Sequence, residues 1–218
     1  MKIKFPLHYT LTGVIIIFIY CLLALLGIIE DLVNSDPLIL LDQRINQFFV
    51  MHRNPLGIKV FMAITSLGSW YVIILAIIAI ALILWYRKKK NQLLPFLAST
   101  LGAYAIVYLG KLLFARPRPP YSVYLESNYS FPSGHATMAM MLFGFLAYFI
   151  FENSKNKNAK ALLIFLLGLI ILLVGLSRIY LGVHYTSDVL GGWLLGSLWL
   201  LINIGIITYQ EQLPVKKK

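Results

Sequence analysis

The apolar runs of this sequence set the limits on what it can fold into. A hydrocarbon core of about 30 Å is crossed by roughly 20 helical residues. Runs of about that length cover Tyr9 to Ile29, Val60 to Tyr86, Leu93 to Phe114, Ala136 to Phe151, Ala161 to Tyr180 and Asp188 to Tyr209. The fourth is short, so it is expected either to extend back into Ser133-Gly134-His135 or to meet a thinned bilayer. With 60% hydrophobic and only 12% charged residues, the chain lies far from a soluble domain. The expected fold class is all-α: a polytopic membrane protein built as a bundle of six transmembrane helices.

Charge placement sets an expected orientation, because short loops rich in Lys and Arg stay in the cytoplasm. Of the 19 Lys and Arg, one side would receive Lys2, Lys4, Arg87 to Lys90, Lys155, Lys157, Lys160 and Lys216 to Lys218. Both termini are then cytoplasmic. Met1-Lys2-Ile3-Lys4 could open a signal peptide, yet the apolar run to Ile29 exceeds the usual signal core and has no clear small-residue cleavage site. A retained first helix is expected. The net charge of +11 then reflects topology and attraction to anionic lipid heads rather than nucleic-acid binding. Cys21 is the only cysteine, so no intrachain disulfide can form. No linker, repeat or loop large enough for a second domain is present, which makes residues 1–218 one domain. Before the second run, Leu41, Ile45, Phe48 and Phe49 form a helical apolar stripe suited either to the membrane interface or to packing on the bundle. In the last run Gly192 and Gly196 have the G-x-x-x-G spacing of close helix packing.

The reactive polar residues gather in three short stretches. Lys111 stands near the end of the third run, and Pro117, Pro119 and Pro120 forbid a regular helix beyond it while biasing Arg116 and Arg118 toward extended backbone. Pro132-Ser133-Gly134-His135 precedes the fourth run. Ser133 is expected as the N-cap there, the free N–H groups of the first turn form an anion site, and Gly134 permits close approach of the backbone. Ser177-Arg178 closes the fifth run, His184 follows, and Asp188 stands four residues later, a spacing that shares one helical face. A carboxylate there can fix the imidazole tautomer and leave the other nitrogen as a nucleophile. Each residue also has a structural alternative. Lys111 could complement a helix dipole, the arginines could snorkel to headgroups, His135 could bond a loop, and Asp188 could merely cap the sixth helix. Two histidines without an H-E-x-x-H pattern do not suggest zinc. Counting spans places Glu30 to Lys59, Ala115 to His135 and Leu181 to Ser187 outside, so the three stretches lie on one side and can converge.

The pattern K-x6-R-P, P-S-G-H and S-R-x5-H-x3-D, carried by Lys111 to Asp188, resembles the type 2 phosphatidic acid phosphatase (PAP2) family of integral membrane lipid phosphatases. The resemblance implies that Lys111, Arg118 and Arg178 clamp phosphate oxygens and that Ser133 and Gly134 add hydrogen bonds. It also implies that His184 attacks phosphorus, His135 protonates the leaving oxygen and Asp188 orients His184. Phosphoryl transfer is catalysed mainly by positioning and charge stabilisation, so three fixed cations can serve without a metal or other cofactor. The implied substrate is a lipid of the surrounding bilayer with its headgroup at the outer face of the cell membrane. Undecaprenyl pyrophosphate is favoured slightly over phosphatidylglycerophosphate and phosphatidic acid. Two other classes use the same cations: an anion or lipid transporter, and a vanadium haloperoxidase-like enzyme. A transporter needs no nucleophile with an orienting acid and a separate proton donor, and six apolar spans without a large soluble domain weigh against the haloperoxidase.

The orientation is open to cysteine labelling in a Cys21→Ser background. A membrane-impermeant maleimide added to intact cells should reach Leu125→Cys and spare Lys157→Cys until the cells are permeabilised. The opposite pattern would reverse the topology.

Overall fold

The computed structural model describes residues 7–34 and 36–212. Lys2, Lys4 and Lys216 to Lys218, used in the orientation argument, lie outside these residues. The described residues form eight helices and no strands: α1 (Leu7–Asn34), α2 (Asp36–His52), α3 (Pro55–Ser66), α4 (Trp70–Tyr86), α5 (Lys90–Phe114), α6 (Gly134–Asn153), α7 (Lys157–Tyr180) and α8 (Thr186–Gln212). With α3 and α4 taken together, six stretches are long and apolar enough to cross a membrane. The all-α, six-span reading therefore holds.

The spans differ from the apolar runs in informative ways. The fourth does extend back, since α6 begins at Gly134. The second is interrupted at Leu67-Gly68-Ser69, where N–H groups bond three residues back, Leu67 to Ile64 at 3.1 Å and Gly68 to Thr65 at 3.0 Å. Tightening to this 3₁₀-like pattern keeps the backbone satisfied where the helix breaks. A Cβ at Gly68 would lie 2.9 Å from His135 Cδ2 and 2.8 Å from Val174 Cγ1, so the break lets α3 and α4 meet α6 and α7 closely.

The apolar residues that remain exposed describe the lipid-facing surface. Ile15, Ile16 and Leu23 on α1, Leu75 and Leu82 on α4, Leu101 and Leu112 on α5, and Leu162 and Phe165 on α7 all point outward. Water would oppose such a surface, whereas hydrocarbon is indifferent to it. Exposed aromatics bracket α4, with Trp70 and Tyr71 at one end and Trp85 and Tyr86 at the other, as expected of rings at the two bilayer interfaces.

Helices α6 and α8 form the centre, with α7 packed on α6 and both α1 and α5 packed on α8. The Gly192 and Gly196 spacing serves this contact. A Cβ at Gly192 would stand 2.7 Å from the Ser133 carbonyl oxygen, and one at Gly196 would stand 2.5 Å from that of Thr137. Below the contact, Phe96, Met138, Met141, Leu142, Phe145 and Ile207 join α5, α6 and α8 in a buried cluster.

Helix α2 divides the expected apolar stripe between the bundle and the outside. Ile45 and Phe49 pack against the bundle, but Leu41 and Phe48 are exposed and the polar Asp42 and Asn46 are buried instead. The helix is turned so that Asp42 reaches Arg116 across the fold.

Gly196→Val should push α8 off the α6 backbone, costing about 1–3 kcal/mol and lowering the melting temperature in detergent. Gly13→Ala, with no atom within 4 Å of the added Cβ, should leave it unchanged or raised.

Candidate active site

The site begins where α5 stops. Ala115 caps the helix in the left-handed conformation, at φ 41°, and its N–H bonds the Lys111 carbonyl at 3.0 Å. A non-glycine residue is disfavoured there by roughly 1–2 kcal/mol. Pro117 forbids further helix, so the chain reverses and Arg116 and Arg118 enter an extended segment that runs back over the bundle end. Arg118 donates from Nε to Asn128 O at 2.7 Å and from Nη1 to Val183 O at 2.6 Å. Lys111, buried in the last turn of α5, donates to Tyr129 O at 2.6 Å. At the end of α7 a turn through Gly182, with φ +68°, lies against the Arg53 side chain. Arg53 donates to Tyr180 O at 2.7 Å and to Tyr121 O at 2.5 Å, tying the 115–133 segment to the turn that carries His184.

Asp188 is fully buried and accepts from four directions. Arg116 Nη1 donates to its Oδ1 at 2.5 Å. Its Oδ2 receives the Tyr185 N–H at 2.8 Å and the Ser130 hydroxyl, and faces His184 Nδ1 at 3.4 Å. The expected shared helical face is corrected here. His184 precedes α8, which starts at Thr186, and the two residues meet because Asp188 reaches back across the cap. The capping alternative is thus also present: the same carboxylate serves the first turn of α8 and the imidazole. On the far side of Asp188, Arg116 Nη2 donates to Asp42 Oδ2 at 2.8 Å. Asp42 also takes the Ser187 N–H at 3.0 Å and the Ser187 hydroxyl. Burial opposes the Arg116 charge, but Asp188 and Asp42 outweigh it and hold the guanidinium firmly protonated.

The Pro-Ser-Gly-His stretch joins this hub through its backbone, the Ser133 N–H donating to Asp188 O at 3.0 Å. Ser133 is the N-cap of α6 in extended backbone, but its side chain makes no cap bond. That corrects the expected capping role. The Ser133 hydroxyl and Arg178 Nε are buried without a hydrogen-bond partner among the described residues. Arg178, fully buried, donates from Nη1 to Thr65 Oγ1 at 2.8 Å and to the Tyr124 hydroxyl, and from Nη2 to Glu126. Glu126 also pairs with Arg118 at 2.6 Å. Its burial works against charge, but Arg178, His184 and Arg118 overcome this and hold its carboxyl down to about 2. His184 Nε2 lies 3.2 Å from Arg118 Nη1. Burial pushes His184 down to about 4, with the Asp188 bond opposing and Arg178 reinforcing the shift.

The structure therefore gathers Lys111, Arg118, Ser133, Gly134, His135, Arg178, His184 and Asp188 at one end of the bundle. It adds residues that the motifs do not name: Arg116, Asp42, Ser130, Ser187, Thr65, Tyr124 and Glu126. A signal for Arg116 existed, since side chains two apart in extended backbone share a face and Arg118 was already assigned. Asp42 and Glu126 carried no comparable mark. Among the described residues no three His, Cys, Asp or Glu side chains are grouped to hold a metal ion.

Comparison with known proteins gives this geometry its class. The PAP2 superfamily profile matches residues 92–212. Phosphatidylglycerophosphatase B of Bacillus subtilis is 35% identical over 170 residues, 75% of this chain and 82% of that protein. The undecaprenyl-diphosphatase of Sulfolobus acidocaldarius is 30% identical over 175 residues, covering 74% and 73%. The crystal structure of the transmembrane PAP2 type phosphatidylglycerolphosphate phosphatase from Bacillus subtilis superposes with a TM-score of 0.77 at 28% identity, over 94% of this chain and 98% of that one. Fold and relatives make the chain a multi-pass membrane lipid phosphatase. The chain belongs to the PAP2 superfamily.

Arg116→Met would leave Asp42 and Asp188 as buried carboxylates without their shared cation, a loss of the kind that costs about 3–5 kcal/mol. Lower melting temperature and strongly reduced turnover are expected, partly recovered by adding Asp42→Asn. Unchanged melting and turnover in Arg116→Met would show that Asp188 does not depend on this partner.

Proposed function

We propose that this protein hydrolyses a membrane lipid phosphate or diphosphate through a phosphohistidine on His184, without a metal. The observation that carries the reading is the pair of contacts on the His184 ring. Nδ1 faces the Asp188 carboxylate, an acceptor, at 3.4 Å, and Nε2 faces Arg118 Nη1, a donor that cannot be deprotonated, at 3.2 Å. Those neighbours favour the proton on Nδ1 and the lone pair on Nε2. The nucleophilic nitrogen then points toward the cations that would hold phosphate, and the depressed pKa keeps the ring neutral at physiological pH.

Lys111, Arg118 and Arg178 hold the phosphate oxygens, with the Ser133 hydroxyl, the Gly134 backbone and Arg178 Nε adding donors. The Nε2 lone pair forms the N–P bond while the P–O bond to the lipid breaks, its electrons passing to the leaving oxygen and a proton arriving from His135. Asp188 stabilises the positive charge on the phosphorylated ring. Water, deprotonated by His135 in reverse, then attacks phosphorus, releases inorganic phosphate and restores the imidazole.

The substrate enters sideways with its tail in the bilayer, its headgroup at the extracytoplasmic face of the cell membrane and both chain termini cytoplasmic. The cation-rich turns at Arg87 to Lys90 and Lys155 to Lys160 support that orientation. The relatives act, by name, on phosphatidylglycerophosphate and undecaprenyl diphosphate. Both present a terminal phosphoryl group on an anchored lipid, and these two with phosphatidic acid form the substrate class.

Rapid-quench experiments with terminally ³²P-labelled lipid phosphate test the mechanism. Wild-type protein should form an acid-labile adduct and His184→Ala none. His135→Ala, without its proton donor, should slow turnover by about 10²- to 10⁴-fold while keeping the site of attachment. A labelled adduct persisting in His184→Ala would overturn the assignment.

A further inference from the structure

We propose that Glu126 is a built-in competitor of substrate phosphate: its carboxylate occupies the cation cradle between Arg178 and Arg118 and must be displaced for the phosphoryl group to bind. The inference rests on the phosphatase reading above and adds to it a residue that sets phosphate affinity.

Glu126 mimics a bound phosphate in chemistry and in partners. One carboxylate oxygen takes Arg178 Nη2 and the other takes Arg118 Nη2 at 2.6 Å, the two guanidinium groups assigned to phosphate. Its side chain is 22% exposed, whereas Arg178 beneath it is fully buried, so the carboxylate lies over the deepest cation. Ionised at any working pH, it cannot be removed by protonation.

Neither arginine needs Glu126 to stay in place. Arg178 keeps Thr65 and Tyr124, and Arg118 keeps the carbonyls of Asn128, Val183 and Tyr129. A residue present only to orient these side chains would be redundant.

The backbone around Glu126 suits displacement. On one side Val123 N–H bonds Leu181 O at 2.9 Å, and on the other Ser130 N–H bonds Arg116 O at 2.9 Å, with Arg118 fastening Asn128 as well. Between these fastenings Leu125 is 94% exposed. The short arch over Leu125 to Ser127 can therefore lift its glutamate while the segments on either side, Tyr124 included, stay bound. Once phosphate leaves, the carboxylate returns to the arginines and opposes rebinding of the product.

The two roles predict opposite signs. An orienting carboxylate strengthens phosphate binding, so its loss weakens binding, whereas loss of a competitor tightens it. In purified full-length protein, the competitive inhibition constants of orthovanadate and inorganic phosphate should fall about tenfold or more in Glu126→Gln, the scale of one charged hydrogen-bonded contact. Glu126→Asp keeps the charge but is too short to bridge both arginines, and it should tighten binding by a smaller factor. Constants unchanged or raised in Glu126→Gln would overturn the proposal. So would a fall in Glu126→Gln with Glu126→Asp identical to wild type, which would mark a charge acting at a distance. If Glu126→Gln fails to accumulate as folded protein, Glu126→Asp decides by the same sign. Wild-type protein that turns over no lipid phosphate would defeat the phosphatase reading instead, and inhibitor-induced shifts in melting temperature would still report the Glu126 effect.

Discussion

A buried carboxylate needs a cation and a full set of donors, and much of the site follows from meeting that need at Asp188. Arg116 supplies the charge, and Ser130, Tyr185 and His184 surround the other oxygen. These groups come from the 115–133 segment and from the turn after α7, and they converge on a carboxylate in the first turn of α8. Arg116 then passes the requirement outward to Asp42, which draws α2 onto the bundle and buries a polar face where apolar residues were available. Leaving any member unpaired in this low-dielectric setting would cost several kcal/mol, so the loops are held together by mutual need as well as by apolar contact.

Packing in the membrane delivers the remaining parts to that hub. Lipid gives no hydrophobic reward for helix association, so close backbone contact and shape carry more of the load. Gly192 brings α8 against the Ser133 carbonyl, and in the same region the Ser133 N–H bonds the Asp188 carbonyl. One close helix contact thus places the start of α6 beside the carboxylate at the start of α8. The break between α3 and α4 acts similarly, bringing Thr65 onto Arg178 and Gly68 against His135.

Charge in the cradle is balanced between function and burial. Arg178 has no exposure and Arg118 little, and both cations lower the affinity of His184 for a proton. That suits a nucleophile, which has to be neutral. The Asp188 contact works the other way, favouring positive charge on the ring, as the proposed N–P bond would require. Glu126 offsets part of the cationic excess by pairing with both arginines.

The sequence by itself determined the features that depend on neighbours along the chain. Run length and hydropathy gave six spans, prolines after Lys111 stopped α5, and three motifs named eight residues that converge in the folded chain. The backward extension of α6 to Gly134 was legible for the same local reason. Tertiary structure alone decided what depends on distant partners. The pairing of Arg116 with Asp42 spans 74 positions and that of Ser187 with Asp42 spans 145, and no local periodicity encodes either. The face that α2 buries, the reach of Asp188 back to His184 across a helix cap, the uncapped Ser133 hydroxyl and the seat of Glu126 on two arginines were likewise settled in the fold. Burial of charge is a contest among all available partners, and the sequence lists those partners without saying which of them will meet.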